Sequence, residues 1–383
     1  YRSRVQKLVQ SAFAEKPKDI ISQSVAKALY GEVSPYSATR LERFAACAFA
    51  HFLQYGMKLT ERVEYEFKPM DMGNVMHEAL ESFAEEVRKR GMKWTELTEQ
   101  ERNEIADRCL DNIVADYGNT VLKSSARNEY MIERTRRILR RTVWALQKQL
   151  EQGEFQPEGF EVTFGGGRID RVDIMEDQNK VYVKVIDYKT GNTSFDLVYL
   201  YHGLQLQLMI YLDGALRVEQ KKYPDKEIIP AGVFYYNIKD PMIQEKIDAD
   251  VEAVSAGLMK ELKMNGLVQA DPELVYRMDS SLGSIPVAFN KDGSFRKNSS
   301  VADRTQFAVL GRYVRTKIEK IRSSILEGDA EVSPYELGKK NACTYCPYMT
   351  VCGFDRRLSG YEFRRLKNFS DEELWKAFDR EAE

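Results

Sequence analysis

The stretch VYVKVIDYK, residues 181–189, alternates so that Val181, Val183, Val185, Asp187 and Lys189 share one face of a strand. An apolar row that ends in a carboxylate and an ammonium side by side is costly to bury, and such a pair marks either a structural salt bridge or a site. The preceding GRIDRVD places Asp170 and Asp173 on opposite faces, so only one of them can join Asp187. Seventeen positions separate Asp170 from Asp187, about the span of two paired strands and a turn. Two carboxylates on adjacent strands with a lysine two positions beyond the second suit phosphodiester hydrolysis. Hard oxygen ligands hold Mg2+, the cation acidifies a water, and the lysine orients that water or offsets charge at phosphorus. By itself the triplet is weak, because it arises by chance in most chains.

Its surroundings add to it. His77 stands in GNVMHEALE with Gly73 one helical turn earlier, where a glycine lets a helix approach a sheet closely. His51 and His202 read as ordinary surface or core histidines. Gln207 and Tyr211, spaced i and i+4, share a helical face and can hydrogen-bond a phosphate or a water, with core packing as the plain alternative. A second constellation lies in CTYCPYMTVCGF, residues 343–354, which holds three of the five cysteines, one thiolate short of a tetrahedral site. Cys109 recurs with Ile105 and Ile113 at helical spacing and reads as a buried core residue. Cys47 differs, following SPYSATRLERF, where Ser37 or Thr39 can cap a helix. Four thiolates suit Zn2+ or an iron–sulfur cluster equally well.

The elements that must position these groups follow from periodicity. Helices are expected from about 38 to 56, over GNVMHEALESFAEEVRKRG to Gly91, over 97–152, over 196–217 and over 303–327. Between them the period falls from 3.6 to 2: FEVTF, RIDRVDIM and KVYVKVIDYK read as three successive antiparallel strands, and IPAGVFYYNI as a fourth. RVEYEFKP reads as a short extended piece, FNKDGSF as a hairpin tip, and the triple glycine at 165–167 as a hairpin turn or a seam between segments. RTRRILRRT carries five arginines in eight positions, either a solvated face or a phosphate-tracking patch. The chain has 383 residues, 43% hydrophobic and 30% charged, with a formal net charge of −2, so no global nucleic-acid signal exists and any DNA contact must be local. It begins at Tyr1 without a methionine, signal peptide or long apolar run, which reads as a fragment of a larger cytoplasmic chain with no membrane partner. The expected division is a lead-in over 1–36, the tail of a preceding domain, and a nuclease domain over 37–383.

GxxxH at 73–77, GRID at 167–170, DYKTG at 187–191 and QxxxY at 207–211 come in the order and setting of the RecB-type nucleases of the PD-(D/E)xK superfamily, which the chain resembles. The split cysteine set, Cys47 with Cys343, Cys346 and Cys352, is similar to that of the family's iron–sulfur branch. The stretch SATRLERFAACAFAHFLQYGMKL looks most like the nuclease domain of AddB-type subunits of bacterial helicase–nucleases. The resemblance implies an α/β fold: a restriction-endonuclease-like core, a central mixed sheet flanked by helices, with helical elaborations and a cysteine-ligated clamp. It implies His77, Asp170, Asp187 and the Tyr188 carbonyl as Mg2+ ligands, Lys189 as water activator, Gln207 and Tyr211 as strand-positioning residues, and a [4Fe–4S] cluster on the four cysteines, with Zn2+ the lesser alternative. It further implies single-strand DNA in the site with a duplex end nearby, an AddA-like helicase–nuclease partner, and cutting of the 5′-ended strand. The rival readings are a stand-alone RecB-like nuclease of CRISPR-adaptation type and a non-catalytic DNA-end clamp. No GxxxxGK[ST] loop is present, so the chain carries no ATP site of that kind.

Overall fold

A computed structural model of the chain describes residues 2–12, 20–31, 37–60, 69–116, 125–165, 167–244 and 250–382. The extended piece expected at 62–68 lies outside the described residues, as does Gly166 of the triple glycine. The chain divides into two compact units: one takes residues 1–62, 197–207 and 312–383, the other 63–196 and 208–311. Among the described residues no helix is long and apolar enough to cross a membrane.

In chain order the helices preceding the first strand are α1 (Arg2–Ala12), α2 (Gln23–Tyr30), α3 (Ala38–Ala46), α4 (Ala48–His51), α5 (Pro69–Lys89), α6 (Glu99–Asp116) and α7 (Ala126–Glu151). The second unit is built on a six-stranded mixed sheet in the order β1 to β6: β1 (Gln156–Phe164), β2 (Gly167–Asp177), β3 (Lys180–Lys189), β4 (Glu227–Asn237), β5 (Asn265–Gln269) and β6 (Val301–Ala302). β1, β2 and β3 form the expected antiparallel meander, and β4 joins β3 in parallel. Phe164 pairs with Gly167, so the glycines make a hairpin turn. The two strands beyond β4 are five and two residues long, too short to announce themselves by alternation.

Helices α5, α6 and α7 share one core with the sheet, where Leu80, Phe83, Ile105, Leu139, Ile186, Phe234 and Tyr236 are buried. Cys109 belongs to that core. The helical span expected over 97–152 is two helices, with 117–124 outside the described residues and Ser125 capping the second through Asn128 N–H. The arginines of α7 are largely taken up by carboxylates. Arg136 and Arg140 reach Asp107 and Asp111 on α6, and Arg137 and Arg141 reach Asp240, which favours the structural reading of that patch over phosphate tracking.

The first unit gathers α1 to α4, α8 (Leu197–Tyr201) and the C-terminal elements. The single helix expected over 196–217 is broken: α8 ends at Tyr201 and α9 (Gln207–Lys222) begins six residues later. Gly203 takes a left-handed φ of 77°, and the N–H groups of Gly203 and Leu204 close on Leu200 and Tyr199, a C-terminal glycine cap that halts the helix. Glu42 then caps α9 from α3, accepting the N–H groups of Leu206 and Gln207. The remaining elements are α10 (Val251–Glu261), α11 (Pro272–Met278), α12 (Arg304–Glu327), the small sheet β7 (Tyr335–Leu337), β8 (Lys340–Asn341) and β9 (Arg364–Arg365), α13 (Met349–Cys352) and α14 (Asp371–Ala382). Gly328 shows why glycine is needed after α12: its φ is +92°, and a Cβ there would lie 2.0 Å from the Ile21 carbonyl oxygen.

Candidate active site

Register across the sheet assembles the chemistry. Residues 160 and 162 of β1 oppose 171 and 169 of β2, which sets Glu161 across from Asp170. Arg171 opposes Ile186, which sets Asp170 across from Asp187, and Asp187 pairs with Tyr235 on β4. Glu161, Asp170, Asp187 and Tyr235 therefore form one row over four strands, and alternation turns neighbouring residues to the other face.

Asp170 is buried, and its Oδ2 accepts the Tyr188 N–H at 2.7 Å. The structure thus places Tyr188 against Asp170 through its amide, while its ring packs edge-on against His77 and Tyr236. His77 Nδ1, from α5, stands 3.4 Å from Asp170 and 3.7 Å from Glu161. Burial alone would depress the His77 imidazolium, but hydrogen bonding and the charges of Asp170 and Glu161 outweigh it and push its pKa up to about 10. Asp187 is 1% exposed, with Lys189 Nζ 2.5 Å from its Oδ2. Burial first, then the charge of Asp170, push its carboxyl up to about 7 against the pull of Lys189 and His77. Lys189 also lies over the Tyr235 ring at 5.4 Å. An anionic cavity that raises both a histidine and a carboxylic acid is short of positive charge, the condition a divalent cation relieves. His77, Glu161 and Asp170 offer ligand atoms that all lie within 4.8 Å of one another.

Glu161 was missed by sequence reasoning. It follows a β-bulge between Pro157 and Gly159 that breaks the alternation of β1, and it takes a left-handed φ of 50°, rare for a non-glycine residue. Its second oxygen is held by Arg168 at 2.5 Å. Gly73 does face Thr190, yet a Cβ there would sit 3.5 Å from Thr190 Oγ1, ordinary contact, so close approach does not itself demand glycine. Gln207 is the first residue of α9, with its N–H on Glu42 in the first unit, while Tyr211 in the second unit packs edge-on against Phe164 beside Gly167 at the β1–β2 turn.

Asp173 does something different on the opposite face. Arg171, Asp173 and Lys184 are 1%, 0% and 5% exposed. Arg171 grips the carboxylate through Nε at 2.5 Å and Nη2 at 2.9 Å, and Lys184 Nζ lies 2.9 Å from its other side. His51 and His202 stand outside the carboxylate row. His51 is fully buried among Tyr30, Phe44 and Tyr55, where burial and then Arg40 lower its pKa to about 3, and His202 Nε2 meets the Lys367 carbonyl at 2.8 Å.

The first unit brings Cys47 together with the C-terminal cysteines. Cys47 sits at the joint between α3 and α4 and packs with Ala50, Leu53, Tyr348 and Cys346. The N–H of Cys346 closes on the Cys343 carbonyl, Cys352 Sγ accepts the Phe354 N–H at 3.4 Å, and Tyr348 hydroxyl donates to the Leu59 carbonyl. Burial and then the charges of Cys47, Cys346 and Cys352 push the Cys343 thiol up to about 12. Burial also raises Cys47, while the backbone N–H groups of Ala50, Ser333 and Phe49 favour its thiolate. Cys109 lies in the other unit and takes no part.

Comparison with known proteins agrees with this geometry. Residues 35–353 match the PD-(D/E)XK nuclease superfamily. The chain is 42% identical to a protein of Lachnoclostridium phytofermentans named as a subunit of an ATP-dependent helicase/deoxyribonuclease, covering 100% of this chain and 35% of that protein. Proteins of the same name from Thermoanaerobacter sp. (strain X514) and Clostridium acetobutylicum are 34% and 35% identical, over 100% and 95% of this chain and 35% and 33% of their own length. The chain thus spans about a third of the length of these curated relatives.

Proposed function

The chain belongs to the PD-(D/E)XK nuclease superfamily, and from that premise we propose that it is the Mg2+-dependent nuclease portion of a helicase–nuclease, hydrolysing single-stranded DNA as an exonuclease during the processing of double-strand ends. The observation that carries the reading is the row of Glu161, Asp170 and Asp187 over three adjacent strands, with His77 on one side and Lys189 on the other. His77, Asp170 and Asp187 would hold the metal, with Glu161 in reach and the Tyr188 carbonyl as a further oxygen. When bound, Mg2+ supplies a Lewis acid that polarises the phosphodiester and makes water a better nucleophile. Asp170 is aimed by the Tyr188 amide. Lys189, steadied by Asp187 and the Tyr235 ring, is the cation that orients the attacking water or offsets charge building on phosphorus. Gln207 and Tyr211, on α9, take the role of strand-positioning groups.

The four cysteines would hold a [4Fe–4S] cluster. Their donor chemistry fits, since thiols pushed up by one another release protons to a cationic centre. Their spacing favours a cluster over one Zn2+ ion. Zinc–sulfur bonds of about 2.3 Å would bring the sulfurs to roughly 3.8 Å of one another, whereas among the described residues no three cysteine sulfurs lie within 4.8 Å. The centre would tie the segment around Cys47 to the C-terminal tail. The names of the relatives support an AddA-like partner and action on DNA ends in the cytoplasm, with the 5′-ended strand as the one cut and residues 37–383 as the nuclease domain.

The test uses single-stranded DNA labelled at either end, incubated with the full-length protein in Mg2+ or in a chelator. Stepwise loss from the 5′ end that needs Mg2+ and vanishes in Asp187→Ala supports the proposal. Metal-dependent cleavage retained by Asp187→Ala removes the site assignment, and release from the 3′ end reverses the polarity.

A further inference from the structure

The second unit holds another concavity, built from residues that play no part in the carboxylate row. It encloses about 520 Å3 among the C-terminal half of α7, helix α10 and the loop after α11. Trp144, Met259 and Leu282 give it apolar walls, and Lys148, Lys260 and Lys263 give it cations. The charge is poorly balanced. Lys148 is paired with Glu151 at 2.8 Å, but among the described residues neither Lys260 nor Lys263 has a carboxylate within ion-pair distance. The nearby Asp279 is already saturated, Oδ1 by the N–H and O–H of Ser281 and Oδ2 by those of Ser284. Partial burial depresses the Lys263 ammonium, the mark of a cation that lacks solvation where it stands. The Arg141 guanidinium lies 5.3 Å from the Trp144 ring, adding a third positive group beside the indole. Leu282 takes a left-handed φ of 57°, so the wall is held in a conformation that a leucine does not choose unaided.

Sheet register ties this cavity to the carboxylates. Asp187 pairs with Tyr235, Tyr235 pairs with Asn265, and Lys263 lies two residues before Asn265. Two strand spacings are roughly 10 Å. An aromatic wall with cations around it, at that distance from a phosphodiester site, matches what single-stranded nucleic acid asks for: a stacking surface and partners for the flanking phosphates.

We propose that this cavity is a second subsite for single-stranded DNA, stacking one base against Trp144 and holding the adjoining phosphates on Lys260 and Lys263 while a neighbouring phosphodiester occupies the carboxylate row. The choice of DNA as the occupant rests on the nuclease reading of that row. The subsite keeps the strand engaged between successive cuts, so its loss shortens the run of nucleotides removed per encounter.

The experiment is run on the full-length protein with divalent metal chelated, so that binding is read without cleavage. An oligonucleotide carrying 5-iodouracil is cross-linked by light, and the attached peptide is mapped. The cross-link is expected on the peptide holding Trp144. Lys260→Ala/Lys263→Ala should weaken oligonucleotide binding about tenfold and lower the slope of log affinity against log salt by about 1.4, the value for two lost phosphate contacts on a single strand. Both lysines are at least partly solvent-exposed, and an unchanged thermal melt confirms that the variant folds. Cross-links that avoid Trp144, or an unchanged affinity and slope, overturn the proposal, as does protection of these lysines by a polypeptide partner but not by DNA. A protein that binds in this way yet cuts nothing in Mg2+ removes the nuclease reading and leaves the subsite standing.

Discussion

Asp170 and Asp173 lie three positions apart in one motif, and replacing each by asparagine should produce opposite defects. Asp173 is fully buried with Arg171 and Lys184 as its charge partners. At an effective dielectric near 20, each attraction at 2.9 Å is about 6 kcal/mol. Taking three ions out of water costs several kcal/mol apiece, so the assembled triad contributes little net stability. Asp173→Asn forfeits both attractions and leaves two buried cations without a counter-charge. Removing one side of a buried pair costs about 3–5 kcal/mol, and with two cations depending on one carboxylate the upper end is expected. Because the chain has two units, a single melting curve would blur the effect, and amide exchange read peptide by peptide localises it. Exchange in β2 and β3 should quicken by 10³-fold or more, taking about 1.4 kcal/mol per tenfold. Asp170→Asn should abolish cleavage while quickening exchange far less, and Arg171→Met/Asp173→Leu/Lys184→Met should restore slow exchange, since well-packed apolar groups commonly replace a buried ion set at no cost. A change below tenfold in Asp173→Asn would show that the triad is solvated or readily repacked and refute the argument.

Replacing Cys47, Cys343, Cys346 or Cys352 singly by serine should release bound iron and expose residues 330–383 to protease, whereas Cys109→Ala, a buried small-to-smaller change, should keep iron and cost about 1–2 kcal/mol; iron retained by Cys47→Ser alone would remove it as the fourth ligand. The raised pKa of His77, 6.5 going to about 10, means that its stabilising charge is complete below pH 6.5 and is lost as pH rises toward 10. Metal-free protein should therefore melt at lower temperature across that interval while apparent Mg2+ affinity rises, because the metal displaces the proton; His77→Gln should lack both trends, and flat wild-type curves would contradict the pairing with Asp170 and Glu161.

Legibility in the sequence followed the regularity of the backbone. β3 alternates without interruption, so the shared face of Asp187 and Lys189 and the opposed faces of Asp170 and Asp173 could be read directly. Glu161 could not, because the bulge before it and its own positive φ disrupt the two-residue period on which such a reading depends. Helix α9 was extended backwards through α8 because the apolar pattern runs on across Gly203; the signal was the glycine, and the remote cap from Glu42 has no local trace. The arginines of α7 looked like a ligand patch because their partners, Asp107, Asp111 and Asp240, come from other elements. The paired strands of two or three residues in the tail are held by tertiary contacts and carry no periodicity of their own.

The interleaving of the two units sets a timetable for synthesis. Glu161, Asp170, Asp187, Lys189 and Tyr235 all leave the ribosome before Cys343, and almost 300 residues separate Cys47 from its first distant partner. At elongation rates of about 5–20 residues per second, Cys47 waits roughly 15–60 s for that partner. The second unit ends at 311, so the catalytic row can be complete while the cysteine set still has a single member. A nascent chain stalled in that interval would carry every carboxylate needed to cut DNA and none of the tail that the cysteines secure, which makes loading of the metal centre a late maturation step that quality control can monitor.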